Sequence, residues 1–230
     1  IWPTEDDTEI IINGNPLTRK YNRGESFEFQ LSNFSAYITT DKNVYVFQLT
    51  GTVTEAAATS LPSIECTGSQ SVSFVRPSTG PLYLNILCKT ADIGNFSIKG
   101  DATLITSSMF SVVPGSAGIW QFARINISSN AVLNALINTN SATSITNSSG
   151  LFHLGFLNSS GGGSRLGYFS NYAQVTLAPV ITSTACFGSD IKLAATELLN
   201  VNYKWTGPNN FSSTIFNPTV TNASLQDSGM

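Results

Sequence analysis

The groups able to do chemistry in this chain are few: one histidine, three cysteines and 14 carboxylates. His153 stands in F-H-L-G-F, where alternation puts Phe152, Leu154 and Phe156 on one strand face and His153 on the other. A proton shuttle there is conceivable, but no G-x-S-x-G elbow supplies a serine partner, and the favoured reading is a surface or loop-packed ring. Glycoside hydrolysis needs two carboxylates held about 5–10 Å apart in a cleft. Glu25 and Glu28 share one strand, and Asp92 and Asp101 sit in turns. Since Ser26 and Glu28 fall on one face with Phe27 and Phe29 on the other, this is a polar outer face beside a core face. Glu5, Asp6, Asp7 and Glu9 offer hard oxygen ligands and make calcium the one candidate cofactor. They lack the D-x-D-x-D-G spacing of a calcium loop, so a solvated turn before the first strand is the plainer reading. No catalytic group assembles, and the chain reads as a non-enzyme.

Two further groups are candidates for binding or cross-linking. Tyr168, Phe169 and Tyr172, beside the Gly161–Gly163 loop, are amphipathic rings able to stack on a ligand such as a sugar. Ordinary sheet packing competes with that role, because two of the three must face a core. The cysteines form no C-x-x-C pair, and a single histidine cannot complete a zinc site. In an oxidising compartment three cysteines mean one internal bridge and one left over. Cys186 is expected to find its partner beyond Met230. Cys66 and Cys88 flank an expected hairpin whose turn is Pro77 to Pro81. That register pairs Cys88 near Gln70, four positions short of Cys66, so a Cys66–Cys88 bridge requires the chain before Ser71 to fold back. Free buried thiols, or a bridge from Cys66 to a residue upstream of Ile1, are the alternatives. Sequons at Asn33, Asn95, Asn126, Asn147, Asn158, Asn210 and Asn222 are expected by chance in an Asn/Ser-rich chain.

The elements that must position these groups are strands. Hydrophobic residues make up 41% of the 230, but charged residues only 11%, against about 25% in ordinary globular domains. Ser, Thr, Asn and Gly fill the polar positions, as in secreted β-rich proteins. A net charge of −3 with 11 scattered basic residues excludes a phosphate-binding patch, and so nucleic acid as a partner. No apolar run reaches the roughly 18–20 residues that span a bilayer. Ile1-Trp2-Pro3 is strand-and-turn sequence, without the features of a signal peptide.

Period-two alternation predicts strands at Glu9–Ile12, Thr18–Tyr21, Ser26–Leu31, Ala36–Thr39, Val44–Leu49, Ser71–Val75, Leu82–Cys88, Asn95–Lys99, Met109–Val113, Gln121–Ile127, Phe152–Phe156 and Gly167–Tyr172. The expected fold class is therefore all-β, in β-sandwich-like modules. One short helix is predicted over Asn130–Ile137, capped by Ser128 or Ser129. Thr52–Thr59 is expected to cross between two β modules, Ser141–Gly150 to be a polar flexible stretch, and Asn158–Arg165 to be a loop tip.

The last fifty residues carry a separate pattern. Cys186 precedes an alternating strand (Ile191, Leu193, Ala195). Tyr203 and Trp205 alternate on a second, a G-P-N-N turn follows, and the run ends on Asp227-Ser228-Gly229. A core Trp and a late D-x-G are features of an immunoglobulin-like sandwich, and the stretch resembles the Ig-like repeats of very large surface proteins of gliding, Bacteroidetes-type bacteria, cut in mid-fold. Further upstream stand T-E-D-D-T-E-I-I-I-N-G (Thr4–Gly14), L-P-S-I-E-C-T-G-S (Leu61–Ser69), S-V-S-F-V-R, L-Y-L-N-I-L, F-S-V-V-P-G, W-Q-F-A-R-I, F-H-L-G-F-L-N and R-L-G-Y-F-S-N-Y (Arg165–Tyr172). Together these resemble the bacterial branch of the IgGFc-binding-protein N-terminal domain family, over roughly residues 4 to 175. The resemblance implies a fold and a surface location, and secretion by a type IX route; it maps no ligand residues.

The expected organisation is an IgGFc-binding-like β domain at 1–178, divisible into submodules 1–55 and 60–178, then a truncated Ig-like domain at 179–230. The expected function is a secreted or cell-surface adhesin module of a large multidomain protein, with an extracellular protein or glycan as partner. A structural spacer or filament-forming module that self-associates through sheet edges is the alternative. A carbohydrate-active enzyme or its accessory module comes third.

Overall fold

The computed structural model describes residues 1–31, 34–52, 55–65, 67–160, 163–170, 180–181, 187–195 and 203–227. The chain forms two units, Ile1–Tyr172 and Ala173–Met230. Both are built of antiparallel strands, as the alternation predicts.

Six strands open the first unit: β1 (Trp2–Pro3), β2 (Ile10–Ile12), β3 (Asn15–Pro16), β4 (Ile38–Thr40), β5 (Val44–Thr52) and β6 (Glu55–Leu61). They make two small sheets, ordered β1-β5-β6 and β3-β2-β4. The β2–β3 connection is two residues long, with Asn13 at φ 52° and Gly14 at φ 81°. Positive φ at both central positions is what a tight hairpin turn demands, and Asn-Gly is the pair that supplies it. Ile1, Ile10 and Tyr21 form a small core here, lined by Leu17, Phe27, Val44 and Val46. Two expectations fail in this region. Thr18–Tyr21 and Ser26–Leu31 are not strands; Tyr21 makes a single bridge to Thr8, and Phe27 exchanges backbone hydrogen bonds with Ile1. The stretch expected to cross between modules is instead a hairpin, with β6 running back along β5 from Thr52↔Glu55 to Val46↔Leu61.

The larger part of the unit is a two-sheet sandwich. Its strands are β7 (Ser71–Val75), β8 (Leu82–Lys89), β9 (Phe96–Ile98), β10 (Ser111–Val112), β11 (Trp120–Asn126), β12 (Ala142–Asn147), β13 (Phe152–Ser160) and β14 (Gly163–Phe169). One sheet runs β10-β11-β8-β13-β14 and the other β7-β12-β9. Their facing residues form one core, in which Leu82, Leu84, Ile86 and Cys88 of β8 meet Val72, Phe74, Ile98 and Ile145. Burial alternates strictly along β7 and β8, because each strand offers every second side chain to that core.

The expected hairpin between Ser71–Val75 and Leu82–Cys88 does not form: β7 and β8 lie in opposite sheets. The connection carries the chain across the sandwich, and buried Arg76 holds it there. Its guanidinium donates to the carbonyls of Thr79 (3.2 Å), Gly80 (2.7 Å) and Ile137 (3.1 Å) and to Asn134 Oδ1 (2.7 Å). Asn158 Nδ2 also donates to the carbonyls of Gly80 and Pro81. Cys88 therefore lies opposite Phe152 and Gln121 rather than near Gln70.

Three more expectations change. Ser141–Gly150 holds β12, the central strand of the second sheet. Asn158–Arg165 is a hairpin: pairing of β13 with β14 continues to Ser160↔Gly163. The helix exists as α1 (Ala131–Leu136), but its cap is Asn130, whose side chain accepts from the Leu133 N–H; Ser128 Oγ instead accepts from the Leu82 N–H.

In the second unit β15 (Val180–Ile181), β16 (Ile191–Ala194) and β19 (Thr219–Val220) form one sheet, and β17 (Trp205–Thr206) pairs with β18 (Ser212–Ser213). The G-P-N-N turn places Asn209 and Asn210 at positive φ. Trp205 Nε1 donates to the Ile215 carbonyl at 3.0 Å, and Asp227 Oδ2 accepts from the Ser224 N–H at 2.8 Å.

Candidate functional site

The residues singled out from the sequence do not converge on one site. Tyr168 and Phe169 are neighbours on β14, so they face opposite sides of the sheet. Phe169 turns inward and stacks on Phe74 at 6.4 Å. Tyr168 lies on the outer face, 5.9 Å from the His153 ring. Tyr172 falls outside the described residues. The two described rings therefore form no common stacking platform.

The acidic stretch is a loop held by the chain's own cations. Lys42 Nζ donates to the backbone carbonyls of Asp6 (2.5 Å) and Asp7 (3.2 Å). Lys20 Nζ lies 3.4 Å from Asp7 Oδ2, and Asp6 Oδ1 accepts from the Arg23 N–H. Among the described residues no group of three or more His, Cys, Asp or Glu side chains gathers as metal ligands. Glu5–Glu9 thus carries lysine ammonium groups rather than a ring of inward carboxylates.

His153 points to the sheet face opposite the core, as alternation predicts, yet it is only 1% exposed. It lies between Trp120 and Tyr168, close to Gly68, where the segment after β6 returns to pair Ser69 with Phe152. Burial pulls its pKa down to about 4, and its hydrogen bond with the Ile64 backbone opposes this only in part. Nδ1 has no hydrogen-bond partner among the described residues. A neutral ring locked under a loop has no substrate access, and among the described residues no carboxylate or serine bonds to it. Cys88 is a buried free thiol, pushed up to about 12 by burial first and by nearby Asp92 second. Such a thiol is unreactive. Cys66 and Cys186 fall outside the described residues.

A site that sequence reasoning missed lies on β5. Along this strand Tyr45, Phe47 and Leu49 face out while Val44 and Val46 pack on the small core. Tyr45 is 64% exposed, Phe47 46%, Leu49 70% and Trp2, on neighbouring β1, 41%. The Trp2 and Phe47 rings meet edge to face at 5.1 Å, an arrangement that fixes both at little entropic cost. Trp2, Tyr45 and Phe47 line an open apolar depression of about 570 Å³. Register extends the face across β6, where Ala58 opposes Leu49 and Ser60 opposes Phe47; Ala56, Ala58 and Ser60 are exposed too. At about 200 Å² per large side chain, these exposures leave roughly 400 Å² of uncharged, mostly aromatic surface, within the range where a single patch marks an interaction site. The signal in the sequence was Y-V-F-Q-L, apolar at both parities over most of its length. It shows a strand wanting cover on both faces without showing which face goes bare.

The family comparison matches residues 1–157 to the IgGFc binding protein family. The chain belongs to that family, which is one of extracellular binding domains and not one known for catalysis. No curated protein and no solved structure matches the chain. Among the described residues no helix is long and apolar enough to cross a membrane.

Proposed function

We propose that this chain is a non-enzymatic adhesin module, secreted or displayed at a cell surface as part of a larger multidomain protein, and that it binds an extracellular protein through the face formed by Trp2, Tyr45, Phe47 and Leu49. The observation that carries this reading is the exposure of four large apolar side chains on one uncharged strand face. Trp and Tyr are the side chains that most often anchor protein interfaces. A glycan is the weaker fit, because the depression between the rings offers almost no polar atoms to meet sugar hydroxyls. Roughly 400 Å² is about half of what one partner contributes to a standard interface, so the patch is the centre of a contact and neighbouring loops supply the rim. The Ig-like reading of the second unit, and the Bacteroidetes-type and type IX context, belong to the same proposal.

The test is capture by purified 1–230 on an array of extracellular proteins and glycans, IgG Fc included, with and without calcium. A protein hit weakened at least tenfold by Tyr45→Ala or Phe47→Ser, in variants that unfold at the wild-type temperature, supports the assignment. A hit unaffected by both substitutions refutes this face as the site. A hit that requires calcium returns Glu5–Glu9 to the role of metal ligands.

A further inference from the structure

Arg19 spends its guanidinium on Glu25, and buried Arg76 spends its own on carbonyls and Asn134. Arg124 does neither. It stands on β11 between Ala123 and Ile125, which are buried in the core, so alternation sends its side chain to the outer face of the five-stranded sheet, where it is exposed. Its guanidinium carbon lies 4.8 Å from the centre of the Phe34 ring and 5.3 Å from that of Tyr83, both within the reach of a cation–π contact. Among the described residues no carboxylate lies within ion-pair distance of it and no acceptor takes its N–H groups. The cation is held in place by rings while its donors stay unspent.

Two neighbours shape the surface around it. Phe34 has φ 63°, a conformation that bulky side chains avoid, yet its ring is 67% exposed. Core burial therefore does not offset the strain, and the charged group its ring meets is Arg124. Strained positions of this kind collect at ligand clamps. Asn85 of β8 stands directly across from Arg124; it is half-buried and has no hydrogen-bond partner among the described residues. The next position in that row, on β13, is Gly155. No side chain fills the row there, and a Cβ would come within 3.3 Å of the Asn85 Cβ. Cation, amide and gap thus follow one another across three strands.

We infer that Arg124, flanked by Phe34 and Tyr83 and joined by Asn85, binds a carboxylate carried by an aspartate or glutamate side chain of a protein partner. The inference rests on the reading of the chain as a binding module and is independent of the β5 face. A guanidinium fork offers parallel N–H donors that match the two oxygens of a carboxylate, and a fork already held by rings loses less freedom when the pair forms. Asn85 can add an amide N–H to the same oxygens. A phosphate or sulfate fits less well, because a tetrahedral polyanion calls for a second cation. The side chains around Arg124 on this face, Phe122 and Asn126 along β11 and Tyr83, Asn85 and Leu87 on β8, supply none. Phe34, Phe122 and Leu87 are apolar, which suits the methylene groups of an acidic side chain better than the hydroxyls of an acidic sugar. Arginine is also, with Trp and Tyr, among the side chains that carry most energy at protein interfaces.

The probe is a pair of capped seven-residue peptides of alanine and leucine, one with a central glutamate and one with glutamine in its place. Each is titrated at pH 7 into isotope-labelled 1–230 and followed through the Arg124 Nε–H and Asn85 Nδ2 resonances. Saturable shifts at both groups are expected with the glutamate peptide, and binding at least tenfold weaker with the glutamine one, since hydrogen bonds to a charged group are the strong ones. Arg124→Gln, at an exposed position outside the core, should weaken the glutamate peptide at least tenfold. Arg124→Lys keeps the charge without the fork and should remain at least threefold weaker than wild type. No saturable binding, equal binding of the two peptides, or full binding by Arg124→Gln overturns the inference. Shifts at Tyr45 and Phe47 in place of Arg124 and Asn85 also overturn it, and return the contact to the β5 face. Glucuronate and inorganic phosphate serve as competing ligands; if either matches the glutamate peptide at Arg124, the site does not select a protein carboxylate and the assignment fails. Should an Arg124 variant misfold, the two peptides on the unaltered chain still decide it.

Discussion

Acid should loosen this fold through a single side chain. His153 is the one histidine of the chain, and its pKa falls from the ordinary 6.5 to about 4, chiefly because burial disfavours the charged ring. In the unfolded chain it titrates near 6.5. Between those values the unfolded state binds one more proton than the folded state, so stability rises with pH by about 1.4 kcal/mol per unit. The stabilisation is complete above about pH 6.5, is lost as pH falls through the window, and levels off below about 4. The whole loss is about 3 kcal/mol, a large share of the roughly 5–15 kcal/mol that holds a domain together. The carboxylates with lowered pKa values, Glu25, Asp101 and Asp227, start from 4.5 or 3.8, and their stabilisation is lost mainly below the upper half of this window. Urea unfolding at pH 7, 6, 5 and 4.5 should therefore show wild type losing about 1.2 kcal/mol from pH 6 to 5. His153→Gln keeps a donor for the Ile64 carbonyl but cannot titrate, and it should lack that slope. Parallel slopes in the two proteins, or an imidazole resonance that titrates near 6.5 in the folded state, would refute the reasoning.

Other substitutions probe how the sandwich is held. Arg76→Leu leaves the acceptors at Thr79, Ile137 and Asn134 without this donor, while Gly80 keeps Asn158, and a urea midpoint shift worth about 3 kcal/mol is expected. Arg76→Lys recovers only part of it, because one ammonium cannot reach what a planar fork reaches. Gly115 has φ +77°, and a Cβ there would lie 2.3 Å from the Asn13 backbone. Gly115→Ala should lower the melting temperature and raise amide exchange at Asn13 and Gly14, where the two loops meet. Cys88 should resist alkylation in the native protein at pH 8 and react on unfolding without prior reduction; labelling that mass spectrometry finds only after reduction would refute the free-thiol assignment and reveal a bridge.

Much of the sandwich was legible because its strands obey alternation with one buried face. Leu82-Leu84-Ile86-Cys88, Val72-Phe74 and Phe152-Leu154-Phe156 all point inward as the pattern requires. Strand β12 was not legible, since its inward positions are Thr143, Ile145 and Asn147. The buried Asn147 is satisfied by hydrogen bonds instead, donating to the Asp92 carbonyl and accepting from the N–H groups of Ser149 and Gly150. Hydropathy sees one apolar residue there and reads a polar loop. The P-S-T-G-P stretch looks like a hairpin turn because proline and glycine signal a reversal without saying which sheet receives the next strand. Arg76 ties that crossing to Asn134 and Ile137, residues distant in sequence. The resemblance located the family, but it could not place a binding face. Trp2 and Phe47 are far apart in the chain, and only the β1–β5 register brings them together.

The crossing between β7 and β8 has a kinetic side. Neither strand can form by zipping against its sequence neighbour, for β7 finds its first partner in β12, where Ser71–Val75 pairs with Ala142–Thr146. The chain between must be gathered before any ladder of that sheet repays the entropy of closing so long a loop. Folding dominated by such distant pairings is slow, and no early hairpin of β7 with β8 exists to be trapped as an intermediate. A piece ending before Ala142 would leave β7 and β9 both without their common neighbour, with Phe74, Phe96 and Ile98 open to water. The first unit must therefore be made whole before it is made stable.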